Sequence, residues 1–228
     1  MKVVALLPMK SHSERVKGKN FRKFCGKPLF QWVLETLLNV DRVQQIIINT
    51  DGREILRQFD VVDTDRVVIR DRRPEICGDF VSMNSVIADD VEHIDADCYI
   101  MTHTTNPLLS TTSINGALDK YIAALNEGGD SLFSVNKWQT RFYDEACKPL
   151  NHDPSKLVRT QDLTPWYEEN SNLYIFSRDS FERSGARIGC QPIMFETPRL
   201  EAVDIDTPED WELAEILVSA YQKKGFLT

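Results

Sequence analysis

The sequence has 228 residues, of which 42% are hydrophobic and 27% are charged, as is ordinary for a globular domain. Its formal net charge of −8 argues against non-specific nucleic-acid binding, which needs an extended basic surface. No apolar run approaches the roughly 18 residues of a membrane helix, and the N-terminal run lacks the features of a signal peptide. We therefore expect one cytoplasmic domain over residues 1–228. The five cysteines form no CxxC pair and are expected to be reduced thiols.

Strand and helix patterns alternate along the first 130 residues. Short β-branched runs predict strands at 3–8, 46–50, 67–70 and 98–103, and apolar periodicity predicts helices at 29–39, 52–59, 82–94 and 112–128. The last of these helices would bury one face, formed by Ile114, Leu118, Ile122 and Leu125. This order predicts an α/β fold: a Rossmann-like mixed, mostly parallel sheet with helices on both faces.

The second half of the chain departs from this alternation. After a predicted strand at 131–135, the composition of residues 136–170 becomes polar and apolar runs vanish, so this stretch is interpreted as an insertion or arm. Strand patterns return at 172–177 and 192–196. A final helix is predicted from Pro208, with Thr207 as its N-cap.

The loop 8–20, PMKSHSERVKGKN, is basic within an acidic chain. From Lys10 to Lys27 there are seven Lys or Arg residues and one acid. Ligands of open α/β sheets bind beyond the carboxyl ends of parallel strands, where this loop and those at 49–52, 70–75 and 103–107 should meet. We interpret the loop as a phosphate cradle; a solvated charged loop is the alternative. Because the glycines of the Walker and dinucleotide-binding loops are absent, side-chain cations must carry more of the binding.

A pair of acids in VDIDTPED forms a candidate metal site. We interpret the segment as the end of a strand, which places Asp204 and Asp206 on one face because alternate residues of a strand share a face. Two carboxylates beside phosphates suit Mg²⁺, which prefers oxygen ligands and shares them with substrate. The alternative is that Asp204 is solvated and Asp206 only precedes a helix cap.

Several motifs together resemble one enzyme family. PMKSHSERVKGKNFRKFCGKPLFQW, NTDG, RRPEICGDFVS, HTTNPLLS, TQDLTPWYEENSNLYIF and VDIDTPEDWELAE occur in that order and span nearly the whole chain. They resemble the acylneuraminate (CMP-sialic acid) and CMP-KDO cytidylyltransferases. The resemblance implies a nucleotide-diphospho-sugar transferase type of fold, a homodimer in which 136–170 is a dimerisation arm, and Mg²⁺ bound by Asp204 and Asp206. It implies transfer of CMP from CTP to the anomeric hydroxyl of an acidic 2-keto-3-deoxy sugar, with release of pyrophosphate.

The resemblance also assigns roles to individual residues. The implied catalytic residues are Lys10, Lys19 and Asp204. The implied nucleotide-binding residues are Lys10, Ser13, Arg15, Lys19, Asn20, Arg73 and Ser82. The implied sugar-binding residues are His103, Gln161, Asn170 and Tyr174.

Some positions depart from the family pattern. Ser11-His12 and Lys17 replace parts of a glycine- and proline-containing first loop, His103 stands where glutamine is frequent, and Thr160 where arginine is frequent. These departures leave nucleotidyl transfer intact as a hypothesis and leave the acceptor open. The alternatives are KDO or another acidic acceptor, and a non-catalytic nucleotide-binding module of the same fold. The alternative for His12 and His103 is that both are ordinary loop histidines.

Overall fold

The computed structural model describes residues 1–223, which contain nine β-strands and six α-helices. The strands are β1 (Val3–Leu6), β2 (Lys23–Phe24), β3 (Lys27–Pro28), β4 (Val43–Thr50), β5 (Val67–Asp71), β6 (Cys98–Thr102), β7 (Ser131–Trp138), β8 (Trp166–Phe176) and β9 (Pro192–Glu196). The helices are α1 (Leu29–Leu38), α2 (Arg53–Arg57), α3 (Met83–His93), α4 (Thr111–Leu125), α5 (Arg178–Ser184) and α6 (Pro208–Lys223).

Seven strands form one sheet in the order β5-β4-β1-β6-β8-β7-β9, and β2 and β3 form a separate two-stranded hairpin. Within the large sheet only β8 runs against its neighbours, since β6 and β7 both pair with it antiparallel and the remaining pairs are parallel. The predicted mixed, mostly parallel sheet is therefore confirmed. The carboxyl ends of β1, β4, β5 and β6 meet at one edge, as this direction requires.

The strands bury both faces of the sheet, which explains their continuous apolar runs. In β1, Val3 and Ala5 point into a core formed with α1, α2 and α4, whereas Val4 and Leu6 point into a second core formed with α3 and α5. Helix α6 closes a third cluster, in which Trp211 packs against the β2–β3 hairpin. Leu125 was predicted on the buried face of α4, but it is exposed because it lies in the last turn, beyond the sheet.

The predicted arm is largely the outer half of a β-hairpin. Strand β8 begins at Trp166, six residues before the predicted start, and pairs with β7 as far as Lys137↔Tyr167 and Trp138↔Trp166. The residues of β8 from Trp166 to Glu169 are exposed, so no apolar period marked this part of the strand. A register shift in β7 between Phe133 and Val135 accompanies the left-handed backbone of Ser171 (φ 56°), where the buried and exposed halves meet.

None of the six helices in residues 1–223 combines the length and the apolar character that crossing a bilayer would need.

Candidate active site

A cavity of about 410 Å³ lies beyond the carboxyl ends of the parallel strands. This is the edge at which open α/β sheets bind ligands. Its wall combines the first loop, the loops after β5 and β6, the segment before α6 and the loop before β9. The residues that line it are Pro8, Met9, Lys10, Lys19, Asn20, Arg72, Ile76, Gly78, Asp79, Val81, Met83, Val86, His103, Thr104, Thr105, Ser171, Arg187, Asp204 and Asp206.

The first loop is a fixed structure despite its charge. Val16 is buried in the third hydrophobic cluster, and Gly18 adopts a left-handed conformation (φ 64°) that turns the chain into a short 3₁₀ helix. That turn carries the buried Asn20, whose Nδ2 donates to the carbonyl of Lys10 at 2.8 Å and whose Oδ1 accepts from Thr104 Oγ1 at 2.6 Å. The loop after β6 is thereby tied to the first loop.

The cations of the first loop meet acids at the cavity. Lys10 forms an ion pair with Asp79. Lys19, with 11% of its side chain exposed, donates from Nζ to Asp206 Oδ1 at 2.9 Å and to the carbonyl of Ile205 at 2.6 Å. Arg15 approaches Asp206 Oδ2 at 3.1 Å. Ser13 and Arg15 line a smaller pocket beside the cavity that also contains Lys10 and Lys19.

The acidic segment 203–206 was interpreted as a strand, and this is wrong: it pairs with no strand of either sheet in the described chain. Ile205 instead donates its backbone N–H to Thr105 at 3.0 Å and is fully buried. Because Ile205 points into the third cluster, the flanking Asp204 and Asp206 both face the cavity. Asp210 bonds the backbone N–H groups of Asp206 and Thr207 and so holds the end of the segment.

Asp204 has a carboxylate oxygen suited to a metal ion. Its Oδ1 is buried and has no hydrogen-bond partner among residues 1–223. Burial raises the pKa of Asp204, and the neighbouring charge of Asp206 raises it further against an opposing bond from Thr105. A buried, unpartnered carboxylate oxygen is costly unless something neutralises it. The donor set of Asp204 and Asp206 therefore fits Mg²⁺, which takes one or two protein carboxylates and completes its shell with phosphate and water.

Arg72 is a cation of the cavity wall that the sequence did not single out. Its Nε donates to Asn49 Oδ1 at 2.9 Å, and its Nη2 donates to the carbonyls of Asn49 and Met9. The Nδ2 of Asn49 donates in turn to Asp90 Oδ1 at 2.8 Å. This series of buried hydrogen bonds, from Asp90 on α3 through Asn49 on β4, orients the guanidinium of Arg72. No short motif encodes it, because its members are 17 or more positions apart.

His103 and Arg187 form the opposite wall of the cavity. Arg187 Nη1 lies 3.3 Å from His103 Nε2. Burial, together with the charges of Arg187 and Lys19, lowers the pKa of His103 to about 3. The imidazole is therefore neutral at physiological pH and accepts a hydrogen bond from Arg187. Tyr174 lies behind this wall, with its ring against the Arg187 guanidinium.

The structure does not bring every predicted site residue to the cavity wall. Arg73 pairs with Asp89 at 2.8 Å, and Ser82 caps α3 by accepting from the N–H of Asn84. Gln161 is exposed in the connection between β7 and β8, where its carbonyl accepts from Gln139 Nε2 at 3.1 Å. Asn170 is buried among Ser134, Asn136 and Thr197.

The described residues also contain one group of three side chains whose ligand atoms are close enough to hold a metal ion: Asp89, Glu92 and His93 on α3. They do not line the cavity. Asp89 is already bonded to Arg70 and Arg73.

A family model described as Cytidylyltransferase matches residues 4–228 of the chain. A pseudaminic acid cytidylyltransferase of Campylobacter jejuni is 25% identical over 99% of this chain and 100% of that protein. An N-acylneuraminate cytidylyltransferase of Oncorhynchus mykiss is 29% identical over 93% of this chain, which spans only 49% of that longer relative.

Among solved structures, the chain resembles a CMP:2-keto-3-deoxy-manno-octonic acid synthetase complexed with CTP. The TM-score is 0.68, and the match covers 96% of this chain and 99% of that one. At 16% identity, this likeness shows a shared fold.

Proposed function

The chain belongs to the cytidylyltransferase family, and from that premise we propose that it transfers CMP from CTP to the anomeric hydroxyl of an acidic 2-keto-3-deoxy sugar of the N-acylneuraminate (nonulosonic acid) type. Pyrophosphate is the second product. Relatives named for pseudaminic acid and N-acylneuraminate support this acceptor class. The observation that carries the proposal is the cavity itself, where four cations face three carboxylates beyond the parallel strands.

The nucleotide binds with its triphosphate along the first loop. Lys10 and Lys19 neutralise charge on the α-phosphoryl group and on the departing pyrophosphate, while Ser13, Arg15 and Asn20 hold the triphosphate and ribose. Arg73 and Ser82 serve the cytosine and ribose at the start of α3. In-line phosphoryl transfer depends mostly on positioning and charge neutralisation, and this set of residues supplies both.

Several of these groups exchange partners when substrate arrives. Lys10 is paired with Asp79 and Lys19 with Asp206. A triphosphate offers both lysines stronger, more highly charged acceptors, and this frees the Asp206 carboxylate. Asp204 and Asp206 would then hold Mg²⁺, which would supply positive charge to phosphate oxygens.

The acceptor lies on the His103 side of the cavity. We assign His103, Gln161, Asn170 and Tyr174 to this side, with His103 at the wall. Asn170 and Tyr174 act from behind the wall, and Gln161 acts from the connection between β7 and β8. Because its pKa is about 3, neutral His103 is a weak base, so it orients groups and does not take up the proton of the attacking hydroxyl.

We propose that two copies of the chain pair through the hairpin segment 136–170. Exposed apolar side chains are concentrated there, including Tyr143, Leu150, Leu157, Val158 and Trp166. Phe142 stacks on Trp166 with ring centroids 5.4 Å apart, which makes a flat aromatic surface. Contiguous exposed apolar area of this kind is typical of a protein–protein interface.

The decisive experiment measures pyrophosphate release from CTP and Mg²⁺ with a panel of sugar acids: N-acetylneuraminate, pseudaminate, legionaminate and KDO. We expect turnover with at least one nonulosonic acid and none with a neutral hexose. Turnover with KDO alone would correct the acceptor class. No turnover with any acid, together with thermal stabilisation by CTP, would establish a non-catalytic binding module. CTP should stabilise the protein more than ATP, GTP or UTP.

A further inference from the structure

Arg187 differs in origin from the other cations of the cavity. Within residues 1–223, the Lys and Arg side chains that line the cavity are Lys10, Lys19, Arg72 and Arg187. The first three come from the first loop and from the loop after β5, on the parallel half of the sheet. Arg187 comes from the loop between α5 and β9, on the side of β8. It therefore presents a positive charge from the wall opposite Lys10 and Arg72.

The guanidinium of Arg187 is held in place but is not saturated. Its Cζ lies 3.9 Å from the centre of the Tyr174 ring, and 19% of its side chain is exposed. Nη1 contacts His103 Nε2 at 3.3 Å, whereas Nη2 is 3.5 Å from Glu169 Oε1, at the limit of a hydrogen bond. Nη1 also contacts Met101 Sδ at 3.9 Å. A guanidinium has five N–H donors, so two of them remain available to a ligand.

The loop that carries Arg187 is anchored at several points. The carboxylate of Asp130 accepts from the backbone N–H groups of Cys190 and Gln191, each at 3.0 Å. Ser131 Oγ accepts from the N–H of Gly189 at 2.8 Å. These bonds lower the pKa of Asp130 against the opposing effect of burial, so the anchor is ionised at physiological pH. A loop fixed in this way presents Arg187 with little entropic cost on binding.

We propose that Arg187 binds the carboxylate of the acidic sugar, and is thus the residue that selects acids over neutral sugars. The inference rests on the proposed function. A planar guanidinium matches a carboxylate through two parallel hydrogen bonds, a geometry that the ammonium group of a lysine cannot reproduce. Tyr174 fixes the plane of the guanidinium, and neutral His103 occupies one edge without competing as a charge.

Electrostatics favours separate cations for the two substrates. Lys10, Lys19 and Arg72 serve the triphosphate, which carries several negative charges. A separate cation on the far wall lets the sugar carboxylate bind without competing for those three. It also offsets the repulsion between the sugar carboxylate and the α-phosphoryl group, which lie close together because the carboxylate is attached to the anomeric carbon that bears the attacking hydroxyl.

The test compares Arg187→Gln and Arg187→Lys with the wild type, using the full chain with Mg²⁺. For both variants we expect the KM for the sugar acid to rise, by about 10²-fold in Arg187→Gln, because a charge-assisted bidentate contact is lost. The KM for CTP should stay within about threefold of the wild-type value, because the contact that is lost binds the sugar acid and not CTP. The preference for the acid over its C1 carboxamide should collapse in Arg187→Gln.

Two further variants separate binding from a structural role. Arg199→Gln is the matched control, because the Arg199 guanidinium lies 4.6 Å from the Trp138 ring and outside the cavity; its kinetics should equal the wild type. If Arg187 served only as the ion-pair partner of Glu169, Glu169→Gln would raise the KM for the acid as Arg187→Gln does. We expect Glu169→Gln instead to lower it, since a competing carboxylate is removed.

The kinetics distinguish a failure of the role proposed for Arg187 from a failure of the proposed function. A wild-type enzyme that activates a sugar acid, with unchanged acid KM in Arg187→Gln, overturns the role of Arg187 and leaves the proposed function standing. A wild type with no turnover on any sugar acid overturns the proposed function, and this inference with it.

Discussion

At the scale of single residues, the cavity pairs ionised groups that the polypeptide alone does not fully satisfy. Asp204 Oδ1 is buried without a hydrogen-bond partner in the described part of the chain, and Lys19 forms an ion pair with Asp206. Both arrangements are costly in isolation and useful in function, because a metal ion and a triphosphate would complete them.

Replacing the acids tests the metal assignment. Asp204→Asn and Asp206→Asn should each fold and should each lose most Mg²⁺-dependent turnover, because a neutral amide is a weaker magnesium ligand than a carboxylate. Since burial raises the pKa of Asp204, removing this charge should not lower the melting temperature at pH 7. Steady-state kinetics with a magnesium titration and thermal melts provide the measurement. Full activity of the double variant would exclude a metal role for the pair.

The first loop offers an internally controlled comparison of lysines. Lys10→Ala and Lys19→Ala should each lower kcat by on the order of 10²-fold, because cations aimed at transition-state charge act mainly on turnover. Lys17 is exposed and does not line the cavity, so Lys17→Ala should have little effect. Equal losses of CTP affinity in all three variants, with kcat unchanged, would show that the loop only attracts CTP electrostatically and does not stabilise the transition state.

At the scale of secondary-structure elements, buried polar groups join the helices to the strands behind the cavity. Asp90 on α3 accepts hydrogen bonds from Asn49 of β4 and Arg70 of β5, each within 3.0 Å. Asn49 in turn orients Arg72. Because α3 and two strands share this network, the position of Arg72 depends on how the layers pack.

Asp90 should make stability depend on pH. Burial raises its pKa to about 6 despite the bonds from Asn49 and Arg70, whereas an unfolded aspartate titrates near ~3.9. The folded protein thus keeps a proton that the unfolded chain has released. The resulting stabilisation is full below about pH 4 and is lost as pH rises through about 6. Relative to Asp90→Asn, the wild-type free energy of unfolding should fall by about 3 kcal/mol between pH 4 and 7. Urea unfolding across this range measures it, and parallel curves would contradict it.

The loop before β9 depends on Gly189. A Cβ at this position would overlap the Asp130 carboxylate and the Ser180 hydroxyl, so Gly189→Ala must displace the loop. We expect Gly189→Ala to lower the free energy of unfolding by about 1–3 kcal/mol. We also expect it to raise the KM for the sugar acid more than the KM for CTP. In α4, Gly116→Ala would meet Phe195 at an ordinary 3.5 Å and should stabilise by up to about 1 kcal/mol. Identical behaviour of the two variants would show that the loop tolerates movement.

At the scale of the whole molecule, the hairpin extends from the sheet with its outer half exposed. The proposed homodimer buries this half, whereas the candidate active-site cavity lies at the carboxyl edge of the parallel strands. Because Gln161 and Asn170, which we assign to the sugar side, belong to the same segment, the test of assembly uses an exposed hairpin residue without an assigned role in binding.

Charged substitutions on the hairpin test the assembly. Leu157 is 79% exposed, so Leu157→Asp should leave the fold intact and convert the proposed dimer to a monomer, because a buried unpaired charge opposes association. Ile216 on α6 is 67% exposed, and Ile216→Asp is the matched control that should remain dimeric. Sedimentation velocity reports both. A wild type that sediments as a monomer would refute the homodimer.

Much of the architecture could be predicted from local pattern. The β-branched runs and amphipathic periods located β1, β4, β5 and β6 and their helices, because a two-sided sheet needs continuous apolar strands. The outer half of β8 could not be found in this way, since its residues face solvent on both sides and carry no period. The segment around Ile205 was taken for a strand because alternation of acids looks the same in any extended chain.

Short-range spacing along the chain encodes the family, the order of the elements and the chemical character of the first loop and the VDID segment. Which charges share one cavity depends instead on contacts between distant parts of the chain. Arg72 depends on a chain of contacts through Asn49 and Asp90, and Arg187 on a loop anchored by Asp130. These hydrogen-bonded partners are 23 to 60 positions apart, and hydrogen bonds act over about 3 Å of space, so only folding brings them together.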